Sequence, residues 1–152
     1  MNEYIVKAAV IPACFFIAKI LLLKFYDEKN FLSEYCNFLL SVKNEVDFTN
    51  KPIREIINNC SDENFKNLSV KLLQNDEIKK PCFLSVEEYN SVKTFFSGIS
   101  ATDSVTLSGK ISVFKLQADK LYEKSSEKLK KNIILYQKLG ILSGILLYIL
   151  IL

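Results

Sequence analysis

The sequence contains no histidine. Its absence removes the usual general base near neutral pH and the commonest metal ligand. Histidine-dependent catalytic triads and most zinc sites go with it. Glycine occurs four times, too sparsely for a loop that cradles phosphates. Arg54 is the single arginine, and no basic patch is interleaved with aromatics, so no nucleic-acid partner is expected. The four cysteines, at 14, 36, 60 and 82, lie at least 22 residues apart. No CxxC pair and no zinc or haem spacing is present. Buried, reduced thiols in a cytosolic setting are the expectation. A nucleophilic cysteine, lacking a histidine partner, is the lesser reading. No stretch alternates like a strand, and no repeat is evident.

What is present is unevenly spread. Apolar residues gather at both ends, as AAVIPACFFIA over 8–18 and as LGILSGILLYILIL over 139–152. Residues 25–103 carry 9 basic and 13 acidic side chains, net −4, whereas residues 110–138 carry 8 basic and 3 acidic, net +5. Tyr4–Leu23 is a window of about 20 residues, long enough to cross a bilayer as a helix. Lys7 and Lys19 lie near its ends, where long side chains snorkel to the headgroups, and Pro12 kinks such a helix without forbidding it. Two other readings stay open for this segment. One is a cleaved signal peptide, although its basic start is a single lysine. The other is a lipoprotein box, Ile11-Pro12-Ala13-Cys14, with a lipid-modified Cys14 after a short apolar run.

At the far end, residues 133–152 make about 20 residues with only Gln137 and Lys138 as strongly polar members, again enough for a span. A soluble core helix would show a polar face, which 139–152 lacks. The lysines that follow the first window and precede the second mark the cytoplasmic side. The expected topology is two-pass in the cell membrane, with both termini outside and residues 25–132 in the cytoplasm. Gly140, Ser143 and Gly144 put small residues on one helical face, where another backbone can approach. Glycine is also simply common in membrane helices.

The intervening segment reads as helix throughout. Phe31, Tyr35, Phe38/Leu39, Val42 and Val46 recur at steps of three and four. Asp47-Phe48-Thr49-Asn50 breaks this helix, and Pro52 suits the first turn of the next. Ser61-Asp62-Glu63 looks like a cap with first-turn acids, and Phe65, Leu68, Leu72 and Leu73 follow. Ser85 with Glu88 is a capping box opening a helix that Gly98 would close. From Asp103 a long amphipathic helix runs on into the apolar end. The predicted fold class is all-α: a cytosolic antiparallel helix bundle, 25–132, flanked by transmembrane helices at 1–24 and 133–152. Acidic pairs stand at Asp27/Glu28, Asp62/Glu63, Asp76/Glu77 and Glu87/Glu88. Three of the four fall in predicted first turns, where they offset the helix dipole, and neighbours in sequence face different ways. No catalytic, cofactor-binding or metal-binding residue is assigned.

The order of parts, with the segment Glu45-Val46-Asp47-Phe48-Thr49-Asn50-Lys51-Pro52-Ile53-Arg54-Glu55 and the ending Leu139-Gly140-Ile141-Leu142-Ser143-Gly144-Ile145-Leu146-Leu147, resembles the stage III sporulation protein AB family. Gly98 to Asp103 occupies the place of that family's L-G-x-x-D loop. Lys51 stands where the family has a capping threonine, which leaves Asn50 to cap the second helix. The family is related to the helical domains of the type II secretion F platform protein. The resemblance implies a non-enzymatic membrane scaffold in the channel between mother cell and forespore. Its cytosolic domain would dock a secretion-type ATPase and other membrane subunits, alongside membrane lipid. On that reading Glu45, Asp47, Pro52, Glu55, Gly98 and Asp103 belong to the partner interface, and Gly140, Ser143 and Gly144 to membrane-helix packing. The competing expectations are a membrane-tethered enzymatic or ligand-binding domain, for which the sequence offers no polar cluster, and a small pore-forming protein.

Overall fold

The computed structural model describes residues 2–48, 52–74, 78–99 and 104–151, and the side chains at 2–11, 46–48, 104–108 and 151 lie outside that description. Five helices follow in order: α1 Asn2–Phe48, α2 Ile53–Asn58, α3 Glu63–Leu73, α4 Val86–Ile99 and α5 Ser104–Ile151. Among the described residues there is no strand, so the class is all-α. The chain divides into two compact units. One consists of Met1–Tyr26 with Ser126–Leu152, and the other of Asp27–Ser125. The sequence reading drew these boundaries at 24/25 and 132/133.

The helix starts in the second unit follow local chemistry. Asp62 is the N-cap of α3, its carboxylate accepting the Phe65 N–H at 2.7 Å. The α4 capping box forms in both directions. The Ser85 N–H donates to the Glu88 carboxylate at 2.7 Å, and the Glu88 N–H donates to Ser85 Oγ at 3.2 Å. Pro52 sits one position earlier than predicted, at the N-cap of α2 with an extended backbone, and supplies no side-chain cap. Its carbonyl accepts the Glu55 N–H at 2.9 Å. Asn50, expected as that cap, lies outside the described residues.

Two expectations differ from the structure. Gly98 does not close α4, which continues through Ile99. Asp27/Glu28 is no first turn either, because α1 runs unbroken through it and Glu28 is 2% exposed. Lys24, Asp27, Glu28 and Lys29 look like a polar break in sequence, but lysine and glutamate are good helix formers and interrupt nothing. Asp62/Glu63 and Glu87/Glu88 do open α3 and α4. Asp76/Glu77 lies outside the described residues.

The core of this unit is aromatic. Phe31, Tyr35 and Phe38 of α1 step by four and three, and all three rings surround Phe65 of α3, at centroid distances of 5.3, 6.0 and 5.4 Å. Phe38 also stacks on Phe96 of α4 at 5.6 Å, and Phe95 meets Phe114 of α5 edge-on at 5.3 Å. Leu32, Leu39, Val42, Ile57, Val92 and Ile111 fill the spaces between and are fully buried. Tyr89 ties α4 to the preceding connection, its hydroxyl donating to the Ile78 carbonyl at 3.0 Å.

The other unit pairs the N-terminal part of α1 with the C-terminal part of α5. Ala18, Leu22 and Leu129 are buried, as are Gly140 and Gly144. The contact is close at Gly140, where a Cβ would stand 3.1 Å from Ala18 Cβ, 3.5 Å from the Cys14 carbonyl oxygen and 3.7 Å from Phe15 Cα. Further along, the Phe25 and Tyr136 rings lie 6.2 Å apart. The outward surface is apolar: Phe16, Ile20, Leu142 and Leu150 are 63, 65, 65 and 74% exposed. α5 carries the one stretch among the described residues, within Gly109–Leu150, that is long and apolar enough to cross a membrane by length and composition.

Phe65→Ala should destabilise the chain by about 3–5 kcal/mol in a denaturant melt, as loss of a large buried ring does, while Leu40→Ala, at a half-exposed site, should stay within about 0.5 kcal/mol. Gly109 is helical with nothing near its missing Cβ, so Gly109→Ala should stabilise by about 0.5–1 kcal/mol. Gly140→Leu should instead force α1 and α5 apart in their unit, raising amide hydrogen exchange over residues 12–26.

Candidate functional site

A polar groove runs along α1. Its upper part is a cleft of about 140 Å3 lined by Glu34, Asn37, Phe38, Ser41 and Glu45 of α1 facing Ile56, Asn59 and Cys60. Small-molecule sites run to roughly 300–1,000 Å3, so this cleft is small. A more open hollow of about 290 Å3 shares Glu34 and adds Asn30, Ser33, Ser61 and Asp62. Helical spacing builds the α1 side: 30, 34, 37, 41 and 45 step by three and four on one polar face. The opposite wall exists because α2 is short. Ile56 and Ile57 turn inward, and the chain then doubles back through Cys60 to the Asp62 cap. Glu34 pins this wall, accepting the Ser61 N–H at 2.8 Å.

The groove is acidic. Glu34, Glu45 and Asp62 line it, and among the described residues no basic side chain does. Burial first, and then the Glu34 carboxylate, push the Cys60 thiol up to about 12. The thiol therefore stays neutral and donates to the Ile56 carbonyl at 3.6 Å. Cys36 is pushed up to about 12 as well, again by burial first and then by Asp119, which is paired with Lys115. Tyr35 is raised too, by burial; the neighbouring Ser91 hydroxyl offsets part of this, although neither group meets hydrogen-bond geometry. Neutral thiols of this kind are poor nucleophiles and poor metal ligands. Among the described residues, no three His, Cys, Asp or Glu side chains stand together where they could hold a metal.

The residues singled out from sequence are dispersed. Glu45 lines the groove half-buried, while Glu55 and Pro52 are exposed and do not line it. Gly98 lines a separate small cleft with Phe95, Ile99, Lys110 and Phe114. The two clefts share no residue. The Asp47 side chain and all of Asp103 lie outside the described residues. In the other unit, Gly140 meets α1 directly, and Gly144 is buried. The Ser143 hydroxyl donates to the Gly140 carbonyl of its own helix at 3.1 Å.

A family model, Stage III sporulation protein AB (spore_III_AB), matches residues 4–152. The chain belongs to the stage III sporulation protein AB family. Membership assigns it a role in the third stage of sporulation. No curated protein and no solved structure matches the chain. The match extends over α1 and α5 as well as the helices between them, so the family pattern includes both apolar ends.

Sequence reasoning missed Glu34, Asn37, Ser41 and Asp62 as groove residues. The spacing of the α1 members was readable. The approach of Ser61 to Glu34, 27 residues away, was not. The thiols supply a check. The neutral forms of Cys36 and Cys60 contribute stability that is complete below the ordinary thiol value near 9 and is lost as pH rises toward about 12. Melting temperature should fall across that window, and less steeply in Cys60→Ala. Exposed Cys82 should react with a maleimide well before Cys36.

Proposed function

We propose that the chain is a membrane-anchored docking component of a sporulation channel complex. The first unit is a two-pass hairpin in the cell membrane. The second unit, an antiparallel helix bundle, stands on the cytoplasmic, mother-cell side and receives a secretion-type ATPase. The observation that carries this reading is the contrast between the units. One exposes apolar side chains along its length, Phe16 and Ile20 on α1 and Leu142 and Leu150 on α5, a surface that calls for lipid or protein cover. The other closes its own aromatic core and presents a small acidic groove. A groove of that size and charge suits a basic segment of a protein partner more than a small substrate. The lysines of residues 110–138 support the cytoplasmic side.

The test uses the full chain in mild detergent, immobilised, with the ATPase of the same complex as analyte. Capture should fall about tenfold or more in Glu45→Lys combined with Glu55→Lys, as for charge reversal within an interface. Capture at the unaltered level removes this face from the docking surface. No capture by the unaltered chain removes the ATPase as its direct partner.

A further inference from the structure

One end of the first unit is strongly basic. Its described side chains include Lys24 on α1 and Lys128, Lys130, Lys131 and Lys138 on α5, all exposed. The single described carboxylate of this unit is Glu127, 3.8 Å from Lys131 with both groups more than 70% exposed. So exposed a pair is heavily screened and neutralises little. The Lys128 ammonium lies over the Phe25 ring, 5.4 Å from its centroid, and Phe25 also meets Tyr136. These contacts set the last apolar residues of the α1 window, Leu22 and Leu23, level with α5 just before its own exposed apolar surface begins at Ile134 and Leu135. Lys24 therefore stands at the same level as the α5 lysines. Lys131 and Lys138 are two helical turns apart on one face, and the Lys138 stem is long enough to carry its charge back toward the others. Tyr26, 41% exposed, and Tyr136 add rings with a polar tip at this level, the composition of a water–hydrocarbon boundary.

We propose that this collar of lysines and tyrosines binds the headgroups of anionic phospholipids. The inference rests on the membrane reading of this unit and adds a preference among lipids. Charge and position select the occupant. The collar adjoins an apolar surface that acyl chains would cover, and Lys24, Lys130, Lys131 and Lys138 give it a positive charge that the exposed Glu127 offsets only in part. An anionic headgroup brings uncompensated negative charge to that level, whereas a zwitterionic headgroup brings its own ammonium. Surface attraction of this kind weakens within a Debye length and with added salt.

The full chain is reconstituted into bilayer discs of phosphatidylcholine with a minor share of phosphatidylglycerol, and lipid retained after brief detergent exposure is quantified by mass spectrometry. Phosphatidylglycerol should be retained several-fold above its bulk share, and the excess should shrink at high salt. It should vanish in Lys24→Gln/Lys130→Gln/Lys131→Gln/Lys138→Gln. Retention at bulk share by a chain that has entered the discs overturns the lipid preference and leaves the membrane reading standing. A chain that enters no disc of either composition overturns the membrane reading. If the variant fails to reconstitute, the salt series on the unaltered chain decides, and an excess that persists unchanged at high salt overturns the electrostatic basis.

Discussion

Phe65 lies among Phe31, Tyr35 and Phe38, three rings from successive turns of one helix. Because α1 supplies all three, its rotation about its own axis is fixed by this one contact. The polar face at 34, 37, 41 and 45 is thereby turned to form the groove. Phe38 passes the same constraint to α4 through Phe96, and Phe95 passes it to α5 through Phe114. Edge-to-face and offset pairs have directional preferences that aliphatic packing lacks. A core built this way specifies side-chain geometry as well as burial.

The parts legible in sequence were those encoded over a turn or two. The Ser85–Glu88 box is a reciprocal pair of bonds between residues three apart and appears in the structure as its spacing announced. The helix start at Ser61-Asp62-Glu63 is also there, with Asp62 as the cap through a single bond from the Phe65 N–H. The α1 stripe from Phe31 to Val42 was equally local. Continuity of α1 through residues 24–30 was not legible, because polar residues inside a helix and polar residues ending one look alike without knowledge of burial. Glu28, buried within α1, shows the ambiguity most clearly. The groove was half legible: its α1 side follows helical periodicity, but its far wall comes from the return of the chain at Cys60–Asp62. Periodicity carries no information about that return.

The acidic groove and the lysine collar lie in different units and follow from the charge asymmetry of the sequence. Residues 25–103 carry the acid excess and 110–138 the base excess. α5 carries four of those eight lysines into the first unit, and α1 with the α2–α3 link displays the acids in the second. A single chain of modest net charge thus presents two surfaces of opposite sign.

The contact between Gly140 and Ala18 has a consequence in time. The two residues are roughly 120 positions apart in the chain. Ribosomes add about 5–20 residues per second, so the N-terminal part of α1 emerges about 6–24 s before the helix that will pack on it. For that interval Ala18 and the exposed apolar side chains around it have no intramolecular partner. Whatever receives the nascent segment must hold it alone and still leave the narrow strip opposite Gly140 clear. Assembly of this unit therefore waits for α5, however early the N-terminal part of α1 is made.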